Sequence, residues 1–242
     1  MDATTIPSVF IILLCLVCII VVLAALRRIL QKTGWTTQHR NSYFIRCVFA
    51  IVLWVAVVTV LSLVGFFRTF DLPPRVFVFV LVGLVLLLVF SSSRSFSTLL
   101  KLMPVHWPVL MQCFRILVEV MIFLSFRRGL LPIQMTWEGY NYDLITGMLA
   151  LPVGWWMSKN KQRSRSVGII FNIVGILLLL NVMVVAMLSV PTPLRYFKKE
   201  PSLALVGDLP FIYLPTILVL LAFALHIFSL KKLLKENKSD SD

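Results

Sequence analysis

The sequence is poor in charge, and poorest in negative charge. Only 14% of its 242 residues are charged, with 10 acidic against 23 basic side chains. A soluble domain is about a quarter charged. The 60% hydrophobic content and a mean hydropathy of +0.96 therefore exclude a water-soluble globule, a disordered chain and a nucleic-acid-binding domain. Cysteine is scarce too. Cys15 and Cys18 share one apolar run, Cys47 and Cys113 sit in two others, and none falls in an expected outer loop. No disulfide framework is expected, and Cys15 and Cys18 read as small packing residues. No long hydrophilic stretch exists to form an extramembrane domain. Phosphate loops, nucleophile elbows and HExxH pairs are missing, as is an acidic cluster with metal-ligand spacing. No metal site and no resident cofactor are expected.

What is present is a series of apolar runs. A helical span needs about 20 mainly apolar residues to cross about 30 Å of hydrocarbon. The runs are Ile6–Leu26, Tyr43–Phe67, Val76–Phe90, Trp107–Phe126, Tyr142–Met157, Val167–Val190 and Leu209–Leu230. The expected fold is all-α: a polytopic membrane protein of about seven transmembrane helices forming one domain over 1–242. The third and fifth runs are short, and a re-entrant path for either would change the count. The tail over 231–242 is charged and is expected to fray.

Lys and Arg set the orientation. The connections after the first, third and fifth runs, together with the tail, hold about twice as many as the connections after the second, fourth and sixth. This bias predicts an outer N-terminus and an inner, cytoplasmic C-terminus. The first run has no basic segment before it and is followed directly by Arg27-Arg28, so it is expected to stay as an anchor.

Charge inside the spans is costly, so those few residues matter most. Glu119 is the one carboxylate well inside a run. Arg115 precedes it by one helical turn and Gln112 precedes Arg115 by three positions, which places the three within roughly 60° of arc on one helix face. Two readings stay open: an intrahelical Arg115–Glu119 ion pair that fixes packing, or a solute, ion or proton site. The following connection, Ile133 to Asp143, is the densest polar and aromatic stretch in the chain. It carries Trp137, Glu138, Tyr140, Asn141 and Asp143. Asn141 or Asp143 can cap the next helix, and the aromatics suit an interfacial belt or the wall of a pocket. A polar, outward-facing cavity is expected, floored by Arg115 and Glu119, roofed by Trp137, Glu138 and Tyr140, and closed on one side by the entry to the fifth run at Asp143.

The remaining signals are weaker. Gly168, Asn172 and Gly175 form one stripe that favours close helix packing. Pro215 frees a backbone carbonyl four residues earlier and should kink the last span. His106 and His226 read as interfacial or packing histidines, with axial ligation of a b-type haem as the alternative. The last run contains no lysine, which excludes a retinal Schiff base.

Three stretches carry a resemblance. They are Pro132 to Asp143, Pro191-Thr192-Pro193-Leu194, and Leu209 to Leu230 with Pro215 and His226. Over roughly residues 105–230 the chain resembles an uncharacterised family of bacterial multi-pass membrane proteins with no assigned activity. The family pattern has Phe and Arg where this chain has Trp137 and Tyr140. The resemblance implies a multi-pass protein of a bacterial inner membrane and implies no chemistry.

The expected function is binding or transport of a small solute, ion or proton through that outward-facing cavity. The alternatives are a non-catalytic accessory or assembly subunit packed on a partner or as an oligomer, and a haem-binding or other membrane enzyme. The lipid bilayer is the one partner common to all three.

Overall fold

The computed structural model describes residues 3–160 and 164–239. Lys161, Arg163 and residues 240–242, which contribute to the expected inner-side charge and tail, lie outside the described residues. Among those described there is no β-strand. The helices are α1 (Thr5–Gln31), α2 (Thr37–Leu63), α3 (Arg75–Ser91), α4 (Arg94–Leu102), α5 (Trp107–Met111), α6 (Phe114–Arg127), α7 (Asp143–Lys159), α8 (Ser164–Met187) and α9 (Leu220–Ser239). A π-helical turn, Leu214–Val219, leads directly into α9.

Five helical stretches are long and apolar enough to cross a membrane, and six if the bent pair α3–α4 counts as one span. They include α1, α2, the α5–α6 stretch, α8, and the π-turn with α9. The third and fifth sequence runs become α3 and α7, each 17 residues long. At about 1.5 Å per residue such a helix is at the short limit for the hydrocarbon core.

The sequence reading leaves residues 92–102 as a connection, and the structure makes them a helix. Ser93 caps α4 by accepting from the Phe96 backbone N–H at 3.2 Å. Phe96, Leu99 and Leu100 recur at helical spacing and are buried, while Arg94 and Lys101 lie on the polar side. A bend of 78° separates α4 from α3. Lysines of α9 fasten α4 and its approach: Lys231 donates to Ser91 Oγ at 2.6 Å, Lys232 to the Lys101 carbonyl at 2.7 Å, and Lys235 to Ser97 Oγ at 3.0 Å.

The helices differ in how much they bury. Only 6% of the apolar stretch of α2 is buried, against 56% of the π-turn and α9 stretch. The last helix is therefore the hub, packed on α3, α5 and α8, while α1 and α2 present aliphatic faces outward. Ile45, Phe49 and Val52 of α2 are such residues, exposed in the way the lipid-facing side of a membrane span is. Cys15 and Cys18 face inward and join the main core with Leu14, Phe114 and Met121. Pro215 distorts the last span by a π-turn rather than a simple kink. The Phe211 carbonyl, which a regular helix would pair with residue 215, accepts from the Leu214 N–H at 3.0 Å.

Candidate functional site

Four helices bring polar side chains together near the start of α6. Arg115 lies on α6, Asp143 at the first position of α7, Asn172 on α8, and His226 and Ser229 on α9. All five are buried; Arg115 is 1% exposed and His226 0%. The guanidinium grips Asp143 with two nitrogens. Nε donates to Oδ2 at 2.6 Å, and Nη2 pairs with Oδ1. A planar fork on a carboxylate is the strongest form of such a pair. Asp143 also stands in the first turn of α7, where the helix dipole favours negative charge.

Arg115 Nη1 also lies 3.0 Å from His226 Nε2. Arginine has only donors, so Nε2 accepts and the ring proton sits on Nδ1. Nδ1–H then donates to Asn172 Oδ1 at 2.8 Å. The Asn172 amide donates in turn to Ser229 Oγ at 2.8 Å and to the Gly168 carbonyl at 2.6 Å. The result is a directed chain from Arg115 through His226 and Asn172 to Ser229. Gly175 of α8 makes room for it: a Cβ there would lie 2.5 Å from His226 Nε2.

This pairing differs from the intrahelical Arg115–Glu119 pair that the four-residue spacing suggests. The Arg115 fork turns across to α7 instead, where Asp143 stands in the first turn and the helix dipole favours its charge. Glu119 finds Asn141, whose Nδ2 donates to Oε1 at 2.7 Å and to the Met135 carbonyl at 2.9 Å. Asn141 Oδ1 accepts from the Asp143 N–H at 3.0 Å, forming a turn that sets the start of α7. Asp143 is thus an ion-pair residue, the N-cap position falls to Tyr142 with no side-chain cap, and Asn141 braces the Asp143 N–H from one residue earlier. Glu119 is 1% exposed, and its second oxygen, Oε2, has no hydrogen-bond partner. Gln112, one turn before Arg115, ties α5–α6 to α9 by donating to the Ala222 carbonyl at 3.1 Å.

A cavity of about 90 Å³ lies beside Glu119. Its walls come from α3, α6, α8 and the π-turn, and Leu203, Val206 and Phe211 of the connection after α8 close one side. Glu119 and Asp143 are the only ionisable residues among apolar ones in the lining. The expected roof is elsewhere. Trp137 stacks on Phe123 with centroids 4.3 Å apart, Glu138 is exposed, and Tyr140 accepts from Asn181 Nδ2 through its carbonyl at 2.7 Å. None of the three lines the cavity. The structure therefore brings Arg115, Glu119, Asn141 and Asp143 together, turns the Gln112 side chain to the Ala222 carbonyl instead, and leaves Trp137, Glu138 and Tyr140 apart.

The site also includes residues with little sequence signal. Ser229 is one serine in an apolar run, and only its place one turn after His226 and opposite Asn172 gives it a role. Both ring nitrogens of His226 are engaged, which leaves no lone pair for haem iron. His106, the other candidate ligand, precedes α5 as its N-cap residue. Among the described residues no group of three His, Cys, Asp or Glu is placed to hold a metal ion.

A family model described as a domain of unknown function (DUF8737) matches residues 70–234. That match spans more than half of the sequence, and the chain belongs to this family. It contains every residue of the buried network and excludes α1 and α2. No curated protein and no solved structure matches the chain.

Proposed function

We propose that this member of the DUF8737 family is a multi-pass inner-membrane protein that binds a small organic cation or a proton at Glu119, as part of its transport. In this reading α3 and α7 also cross, which gives seven crossings with the N-terminus outside and the C-terminus in the cytoplasm. The Lys and Arg distribution supports that orientation, and the family resemblance supports a bacterial membrane.

The observation that carries the binding reading is the unpartnered Oε2 of Glu119 in the wall of an apolar cavity. Asp143 is neutralised by Arg115. With Glu119 ionised, the cluster would hold one negative charge in excess. An unpaired buried charge is costly, so the carboxyl group takes either a proton or a cation. The apolar walls favour a cation with an aliphatic body over a hydrated metal ion, which gives up its water only to several oxygen ligands.

The test uses the full chain in detergent with propylamine as probe, read by native mass spectrometry, and infrared difference spectroscopy for a protonated carboxyl group. An amine adduct, or a protonated-carboxyl band, that is present in the wild type and lost in Glu119→Gln supports the reading. Neither signal in a folded wild type overturns it. A second reading is an accessory subunit, and the closed Arg115–Asp143–His226 pairing supports it, since such a network also serves to fix one helix arrangement. Co-purification of a stoichiometric partner, with neither amine nor proton signal, would favour that reading.

A further inference from the structure

We infer that the groove between α1 and α5 is a binding site for an anionic phospholipid. It does not depend on the Glu119 reading. The groove begins in the sequence of α1, where large aliphatic residues give way to Ala24-Ala25 just before Arg27-Arg28. Opposite them, α5 brings Trp107, Leu110 and Met111. The two small alanines leave a groove of about 330 Å³ with apolar walls.

Cations stand at its rim. Arg28 lines the groove, and Lys32, one helical turn on, lies 5.8 Å over the Trp107 ring. Both side chains are exposed. The ion pairs among the described residues are Arg68–Asp208, Arg115–Asp143 and Arg195–Glu200, so neither rim cation has a carboxylate. The chain offers none nearby in sequence either, because residues 27–40 and 92–106 contain no Asp or Glu. Two cations with no carboxylate beside them make this rim positive and open to an anion from outside the chain. The apolar floor decides which kind. A free phosphate would satisfy the cations and leave carbon facing water, whereas a phospholipid places its phosphate at Arg28 and Lys32 and its acyl chain along Ala24, Ala25 and Leu110. A tryptophan at the rim suits the headgroup boundary, and basic pockets between membrane helices are a known form of lipid headgroup site.

The test is native mass spectrometry of the full chain in detergent, titrated separately with phosphatidylglycerol, phosphatidylcholine and inorganic phosphate. Phosphatidylglycerol should bind in preference to phosphatidylcholine, and inorganic phosphate should not displace it. A surface cation contributes roughly fivefold to anionic-lipid binding, so Arg28→Gln and Lys32→Gln should each lower the preference by about that factor. Ala24→Leu, a change at an exposed position that should fold, should weaken both lipids by filling the groove. Equal binding of the two lipids overturns the inference. So does a preference that survives the Arg28→Gln, Lys32→Gln double variant, displacement by inorganic phosphate, or a dimer that Ala24→Leu dissolves.

Discussion

The Arg115 guanidinium donates to His226 Nε2 across 3.0 Å, and this contact decides which nitrogen of the histidine holds the proton. An always-protonated donor on one side forces the ring to accept there. The other ring nitrogen then faces the Asn172 carbonyl oxygen, which can only accept. The amide orientation of Asn172 follows, because its nitrogen must serve Ser229 and Gly168. One charged residue on α6 thereby sets the polarity of hydrogen bonds on α8 and α9.

Nitrogen-15 NMR of histidine-labelled protein should show His226 as the Nδ1–H tautomer. Arg115→Met should release that constraint and give a mixed tautomer signal. A wild-type resonance with the proton on Nε2 would contradict the donor direction.

The cross-helix pair predicts a specific mutational pattern. Breaking a buried pair by removing one partner costs about 3–5 kcal/mol. Arg115→Met should lower the melting temperature in detergent sharply, and adding Asp143→Leu should restore much of the loss. Adding Glu119→Leu in place of Asp143→Leu should restore less. The opposite ranking would return the pairing to the single turn of α6.

Two glycines should tolerate no side chain. Gly175→Ala would bring its Cβ to 2.5 Å from His226 Nε2, against a ring pinned at both nitrogens. Gly139→Ala would bring its Cβ to 2.5 Å from the Gln134 Cα, which is backbone and cannot swing aside. Overpacking of this kind costs about 1–3 kcal/mol. Gly34→Ala, with nothing within 4 Å of the new atom, is the matched control and should melt like the wild type.

Glu200 provides a pH test in the connection between α8 and α9. The Arg195 guanidinium donates to its Oε1 at 2.8 Å and the Ser202 N–H to its Oε2 at 2.6 Å, and together they hold its pKa below the ordinary value of 4.5. The ionised form is the one stabilised. Its contribution is therefore present above the ordinary pKa and is lost as pH falls through the depressed one. Hydrogen exchange of residues 195–202, corrected for intrinsic rates, should accelerate in that acid range. In Glu200→Gln the acceleration should be absent.

The backbone was more legible than the pairing. Each apolar run became helix, because a run of about 20 apolar residues has few other ways to satisfy its backbone in lipid. Helix α4 was readable as well, from Ser93 followed by Phe96, Leu99 and Leu100, yet it hides among polar serines and basic residues. Partners were harder. Arg115 and Glu119 sit one turn apart, and local spacing favours joining them. The actual partner, Asp143, is 28 positions away and comes within reach only when α7 packs on α6. Likewise, nothing local distinguishes a packing His226 from one hydrogen-bonded at both nitrogens. The apolar cavity was unreadable for the same reason: its lining is drawn from four separate stretches of chain.

The lysines that bind α4 to α9 have a mechanical consequence. Helix α4 turns away from α3 by 78° and carries one apolar and one cationic side, the two-faced form that suits a boundary between lipid and water. Lys232 and Lys235 moor the last helix to α4, and Lys231 moors it to Ser91 at the end of α3. His226 stands little more than a turn above the first mooring point on the same rigid rod. The position of His226 along the bundle is thus tied to α4 and the end of α3 as well as to its own two hydrogen bonds.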